Sequence, residues 1–210
     1  MEKIKVVEIF SSIEGEGSLI GYPVIFIRLE GCNLRCVWCD TKYSYDTTDY
    51  MELTLDEILY IIKNQKNKKV CITGGEPLFN EGFDIIFETL LKEKFFVIVE
   101  TNGTIFRESI ENLYTKYINQ IHIVCSPKPF SDYKVDSKLK NYISEIKLIV
   151  DEFLTEDIVK KFLSFPVILQ PEGNKKNFFQ KALNLQKLIL EKYQQEIRVI
   201  PQIHKIFDLK

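Results

Sequence analysis

Apolar, β-branched-rich runs recur along the chain at residues 24–29, 70–73, 95–100, 121–125, 143–150, 167–170 and 197–200, bounded by turn residues, and they predict strands. The opening MEKIKVVEIF adds a strand-like alternation with charges inside it. Between several of these runs the period lengthens to that of a helix, at residues 55–64 behind the capping box Thr54-x-x-Glu57, at 84–93, at 156–163 and over the long stretch 176–193. Strands alternating with helices predict an α/β fold with a parallel sheet and right-handed crossovers. A complete eight-unit barrel takes about 250 residues, so this shorter chain predicts an open partial (β/α)6 barrel of about six units with a wide mouth.

Polar residues gather where the predicted strands end. The run 24–29 leads into Gly31 and a cysteine-rich loop, 70–73 into Thr73-Gly74-Gly75-Glu76-Pro77, and 95–100 into Glu100-Thr101-Asn102-Gly103-Thr104. The run 121–125 leads into Ser126-Pro127-Lys128, and 167–170 ends on Gln170-Pro171. Parallel α/β folds carry their sites at the carboxyl ends of the strands, so these segments are expected to converge on one pocket above the sheet. Taken singly, each could be an ordinary turn.

No Gly/Ser/Pro-rich linker, repeat or low-complexity tract divides the chain, which predicts one domain over residues 1–210. The net charge is −2 and the lysines are scattered, so no nucleic-acid footprint is expected. The basic run 66–69 reads as a solvated helix end. No run approaches the roughly 18 apolar residues of a membrane span, and a cytoplasmic location is expected. Of 28 basic residues only Arg28, Arg35, Arg107 and Arg198 are arginine. A lysine-rich chain can keep arginine where a planar fork must grip a carboxylate.

Cys32, Cys36 and Cys39 form a C-x3-C-x2-C array within GCNLRCVWCDT. Three thiolates on one short loop can hold three corners of an iron-sulfur cube and leave one iron open. A structural zinc site would need a fourth ligand, and His122, His204, Cys71 and Cys125 all lie far away in sequence. A thioredoxin-like reading of Cys36-Val37-Trp38-Cys39 leaves the third thiol unused. Five cysteines is an odd count for a disulfide framework, and a reducing compartment suits iron-holding thiolates. Cys71 and Cys125 sit in apolar runs and read as buried small hydrophobes.

The cysteine loop following a strand, with Trp38 before the last cysteine, resembles the radical S-adenosylmethionine superfamily. That resemblance implies a four-iron, four-sulfur cluster whose open iron is chelated by the amino and carboxylate groups of S-adenosylmethionine. It implies cofactor contacts from the segment 73–77, with Gly74, Gly75 and Glu76, and from Trp38 near the adenine, unless Trp38 is a core aromatic. FSSIEGEGSLIGYPVIFIRLEGCNLRCVWCDTKYS, TGGEP, ETNGT, SPK, LQP and the terminal RVIPQIHK together resemble one branch, the 7-carboxy-7-deazaguanine synthase family of queuosine and deazapurine biosynthesis. This implies radical ring contraction of 6-carboxy-5,6,7,8-tetrahydropterin with loss of ammonia.

The same resemblance assigns Thr41 to a bridging Mg2+, and Asn102, Ser126, Lys128 and Gln170 to the cofactor. It assigns Glu14, Glu16, Arg28, Thr73 and the terminal Lys210 to the substrate, with residues about 1–23 as a substrate-binding segment. Arg28 could equally form a surface ion pair. Position 14 is glutamate where the family commonly has glutamine, and a carboxylate donates only when protonated. A homodimer and a flavodoxin- or ferredoxin-like electron donor are also implied. Two alternatives are a glycyl-radical activating enzyme, which shares the cysteine loop and a GGEP-like segment, and a non-catalytic zinc-stapled binding protein.

Overall fold

The computed structural model describes residues 3–45 and 47–209. One sheet of nine strands runs through the molecule in the order β3-β1-β2-β4-β5-β6-β7-β8-β9. Its strands are β1 (Ile4–Ile13), β2 (Pro23–Leu29), β3 (Met51–Leu53), β4 (Lys69–Gly74), β5 (Phe96–Thr101), β6 (Ile121–Cys125), β7 (Glu145–Val150), β8 (Val167–Pro171) and β9 (Arg198–Val199). From β2 to β9 every neighbouring pair is parallel, whereas β1 and β3 are antiparallel additions at one edge. The sheet is therefore an open partial barrel of parallel strands with an antiparallel flap.

The crossover helices are α1 (Leu55–Lys63), α2 (Phe83–Lys92), α3 (Glu108–Tyr117), α4 (Glu156–Lys160) and α5 (Lys176–Tyr193), and a short α6 (Ile203–Ile206) follows β9. The capping box of α1 forms as expected: Thr54 Oγ1 accepts from the Glu57 N–H and the Glu57 carboxylate accepts from the Thr54 N–H. Several boundaries differ from the sequence expectation. The predicted helix 156–163 stops at Lys160 and continues as turns, and β7 begins at Glu145 rather than at 143. The basic run 66–69 is the connection into β4, since α1 ends at Lys63.

Strand periodicity sorts the side chains onto two faces. Ile25, Ile27, Leu29, Val70, Ile72, Val97, Val99 and Ile123 pack with α1, α2 and α3 in one core, and Ile146, Leu148, Val150, Val167 and Leu169 pack with α5 in a second. The alternate residues Val24, Phe26, Cys71, Ile98 and Val124 form a third cluster with Phe10 and Leu19 on the opposite, concave side. One step further toward the carboxyl ends, the same alternation presents Arg28, Thr73, Glu100, Ser126 and Lys147. An apolar floor thus lies beneath a polar layer, and that layer is the site.

Candidate active site

The polar layer opens into a cavity of roughly 520 Å³ at the carboxyl ends of the strands. That is a usual size for a small-molecule site. Cys32, Cys36, Trp38, Cys39 and Thr41 from the loop after β2 line it, as do Thr73 and Gly74 at the end of β4, Gly75 just beyond it, Asn102 after β5, and Ser126 and Lys128 after β6. Glu14 and Glu16 reach it from the loop joining β1 to β2, and Arg28 from β2 itself. Four of the five strand-end segments expected to converge do so, and the Gln170-Pro171 segment does not line the cavity. Of the remaining residues singled out by sequence, Glu76 and Gln170 are buried behind the cavity wall, and Lys210 lies outside the described residues.

The two glycines at the end of β4 let the cysteine loop close against the sheet. Gly74 has φ +150°, and a Cβ there would stand 2.3 Å from the Leu29 carbonyl oxygen. A Cβ on Gly75 would stand 2.3 Å from the Gly31 oxygen and 2.7 Å from Cys32 Cβ. Only glycine permits that approach. Glu76 secures the same corner from below: Oε1 accepts from the Leu78 N–H at 3.0 Å and from Thr101 Oγ1 at 2.7 Å, and Oε2 accepts from the Asn102 N–H at 2.6 Å. Burial outweighs those donors and pushes its pKa up to about 7.

Around the thiols the partners are local. The Leu34 N–H points at Cys32 Sγ at 3.4 Å, and Thr41 Oγ1 lies 3.4 Å from Cys39 Sγ. Burial raises the Cys36 thiol to about 11, offset in part by Lys128. Trp38 is fixed by its indole N–H, which donates to Asp151 Oδ2 at 2.9 Å, and by an edge contact with Phe130 at 6.0 Å. Lys128 donates to Ser126 Oγ at 2.6 Å and lies 5.3 Å from the centre of the Trp38 ring.

On the opposite wall, Lys147 on β7 donates to Glu16 Oε2 and, at 2.8 Å, to Glu100 Oε1. Burial would raise the Glu16 pKa, but Lys147, His204 and the Gln202 hydrogen bond carry it below its ordinary value. Glu14 is 5% exposed, its Oε1 accepts from the Glu16 N–H at 3.2 Å, and its Oε2 has no partner. Burial and the Glu100 charge push Glu14 up to about 8. Arg28 donates through Nε to Glu8 at 2.8 Å and is flanked by the rings of Phe10 and Tyr43.

The carboxyl-terminal segment completes this wall. Gln202 Nε2 donates to Glu16 Oε1 at 2.6 Å, and the Ile203 N–H donates to the Gly15 oxygen at 3.1 Å. Lys205 and His204 bracket Asp40, beside the last cysteine of the loop, at 3.3 and 3.8 Å. Against the cost of burial, this pair holds Asp40 well below the usual carboxylate range. Sequence reasoning did not single out Lys147, Gln202 or Asp40, and it named Glu100 only as the start of a strand-end segment. The available signal was period two: Lys147 is the one charge at an inward position inside the apolar run Ile146–Val150.

Residues 26–124 match the Radical SAM superfamily. The chain is 42% identical over 209 residues to the 7-carboxy-7-deazaguanine synthase of Aquifex aeolicus, covering 97% of this chain and 93% of the relative. It is 35% identical over 214 residues to the synthase of Thermoplasma acidophilum, covering 96% and 95%. This chain belongs to the 7-carboxy-7-deazaguanine synthase family. The fold agrees: the crystal structure of QueE from Escherichia coli superposes with a TM-score of 0.76 over 95% of this chain and 94% of that one, at 23% identity. The peptide-bound SuiB of Streptococcus suis shares the fold more distantly, with a TM-score of 0.59 over 85% of this chain and 48% of that one, at 14% identity.

As a radical S-adenosylmethionine member of the 7-carboxy-7-deazaguanine synthase family, the protein uses a four-iron, four-sulfur cluster and S-adenosylmethionine. The residues fit these groups. Three thiols edge the cavity, while Cys71 and Cys125 are fully buried elsewhere in the barrel. A structural zinc asks for a fourth side chain on the same ion, and Cys71 and Cys125 are not there to supply it. A cubane asks instead for thiolates spread around a cube, each on its own iron. The relatives matched over nearly the full length of this chain are 7-carboxy-7-deazaguanine synthases.

Proposed function

We propose that this chain converts 6-carboxy-5,6,7,8-tetrahydropterin to 7-carboxy-7-deazaguanine with loss of ammonia, as a radical S-adenosylmethionine lyase of queuosine and deazapurine biosynthesis. The observation that carries the reading is one cavity with thiols on one wall and a carboxyl–ammonium cage on the other. Cys32, Cys36 and Cys39 hold the cluster, and when bound the cluster and S-adenosylmethionine supply a 5′-deoxyadenosyl radical for the hydrogen at C6 of the pterin.

The chain's own residues bind and orient. Gly74 and Gly75 bring backbone close to the cofactor, and Trp38, Asn102, Ser126 and Lys128 border its nucleoside side. Glu76 and Gln170 act from behind: Glu76 by holding the Asn102 turn, and Gln170 by donating to the Pro201 oxygen at 3.4 Å, which steadies the carboxyl-terminal segment. Arg28, oriented by Glu8, grips the substrate carboxylate. Glu14, Glu16 and Thr73 face the pterin, and Lys147 holds Glu16 and Glu100 in place for it. Thr41 offers a hard hydroxyl oxygen to Mg2+. Lys210, which the family resemblance assigns to the substrate, lies outside the described residues.

The single continuous sheet supports one domain, in which β1 and the loop carrying Glu14 and Glu16 form the substrate-binding segment. A flavodoxin- or ferredoxin-like donor supplies the electron, and the working form is a cytoplasmic homodimer. Among the described residues no helix is long and apolar enough to cross a membrane.

Anaerobic reconstitution with iron and sulfide, then incubation with reductant, S-adenosylmethionine, Mg2+ and the carboxypterin, tests the reading. The expected outcome is 7-carboxy-7-deazaguanine with little net 5′-deoxyadenosine. Cofactor cleavage indifferent to the pterin would overturn it.

A further inference from the structure

Three carboxyl groups meet one ammonium group inside the cavity. Lys147 on β7 bonds Glu16 and Glu100, and no bond joins it to Glu14. Glu14 faces Glu16 on its own loop, Cys71 on β4, Glu100 on β5 and Lys147 on β7, while Gln202 and His204 from the last segment reach it only through Glu16. If all three carboxyls were ionised around one lysine, the cluster would carry excess negative charge away from water. Buried like charges of this kind are relieved by keeping a proton on one member. Geometry selects the member: Glu16 and Glu100 each accept from an ammonium, whereas Glu14 Oε2 is buried with no partner at all.

We propose that Glu14 is the neutral acid of this cluster and that its Oε2–H is the donor presented to an acceptor, a carbonyl oxygen or imine nitrogen, on the heterocyclic edge of the bound substrate. The inference rests on the pterin reading for its ligand but not for its proton. A buried oxygen without a partner is costly as an anion and useful as a hydroxyl awaiting an acceptor. The terminal torsion of glutamate is soft, so a small rotation turns that hydroxyl toward the cavity. Glu16, kept ionised by Lys147 and Gln202, supplies the complementary acceptor. Side by side, Glu14 and Glu16 then read a donor–acceptor pair on the ligand, as an amide edge would present it. The burial and the Glu100 charge that raise Glu14 to about 8 agree with this assignment.

Infrared difference spectroscopy on the cluster-loaded enzyme tests the proton directly. The wild type is expected to show a protonated-carboxyl band that bleaches as pH rises through about 8, and Glu14→Gln to lack it. Glu100→Gln removes a neighbouring negative charge and is expected to move the midpoint to lower pH. A purely structural Glu14 would titrate in the same way but leave pterin affinity without a slope across its midpoint. The affinity of the wild type for 6-carboxy-5,6,7,8-tetrahydropterin is expected to fall by about tenfold per pH unit above the midpoint. Glu14→Gln removes that slope whatever its absolute affinity. Pterin binding with no such band, or a midpoint in the ordinary carboxylate range, overturns the proton assignment. A band at the expected midpoint with no pterin binding in either protein overturns the functional reading, and with it the donation.

Discussion

Lys147 Nζ on β7 lies 2.8 Å from Glu100 Oε1 on β5, across the intervening strand β6, and the same ammonium bonds Glu16 from the amino-terminal loop. Lys147 is 5% exposed, while the two carboxylates it joins are only partly buried and border the cavity. The arrangement ties the loop that covers the site to the floor beneath it.

Removing the buried cation leaves two partly buried carboxylates facing each other. Lys147→Met is expected to lower unfolding free energy by about 3–5 kcal/mol, the usual cost of breaking a buried pair by deleting one partner. Denaturant unfolding of the cluster-free protein measures it, and a change below about 1 kcal/mol would show the cage to be well hydrated.

Glu76 lies next to the cofactor wall but spends its oxygens on three donors. Above about pH 7, where Glu76 is ionised, Glu76→Gln turns one acceptor into an amide donor that faces an N–H or a hydroxyl. The expected loss is about 1–3 kcal/mol, as for a buried donor left unsatisfied. Thermal unfolding in the absence of cofactor reads this cost separately from any effect on turnover.

Arg28→Lys keeps the charge and loses the fork. A bidentate grip on the substrate carboxylate predicts a fall in kcat/KM of roughly 10- to 100-fold, carried mainly by KM, from an ionic hydrogen bond worth about 1.5–3 kcal/mol. Steady-state kinetics against 6-carboxy-5,6,7,8-tetrahydropterin checks it. An unchanged KM would make Arg28 only the partner of Glu8.

Stability should depend on pH with a definite sign. Glu14 is raised to about 8 and Glu76 to about 7, so between about pH 5 and 8 the folded chain binds protons that the unfolded chain has released. Their contribution is complete below the unfolded carboxyl pKa and is lost as pH rises through the folded values. Glu16 and Asp40 are shifted downward, and theirs is lost only as pH falls. Unfolding free energy of the cluster-free protein is therefore expected to peak near mildly acidic pH and to decline toward about pH 8. Glu14→Gln should flatten that decline, which a denaturant series across pH will reveal.

The parallel strands were legible because each is an apolar run closed by a polar segment, as in Val70–Thr73 before Gly74. The helix Glu108–Tyr117 was not, since only Ile110 is fully buried and its N-cap, Arg107, makes no capping hydrogen bond. The edge strand Met51–Leu53 is three residues long and owes its existence to pairing with Ile4–Val6, which no local pattern announces. The cysteine loop and the glycine pair carry their chemistry in sequence order. Lys147 and Glu100 do not: each is a charge within an apolar strand, and only the shared concave face of β5 and β7 makes them partners. Glu76 shows the converse, a residue conspicuous in sequence whose side chain turns away from the cavity to hold the turn beside it.

The central claim is that three thiols hold a cubane with one iron open to the cavity that the carboxyl cage faces. Electron paramagnetic resonance of the anaerobically reconstituted, reduced protein, recorded with and without S-adenosylmethionine, tests it most directly. A reduced four-iron cluster signal is expected, with g-values that shift when the cofactor is added, and Cys36→Ala is expected to lose that cluster. A cluster signal indifferent to S-adenosylmethionine, or no four-iron cluster in the wild type, would contradict it.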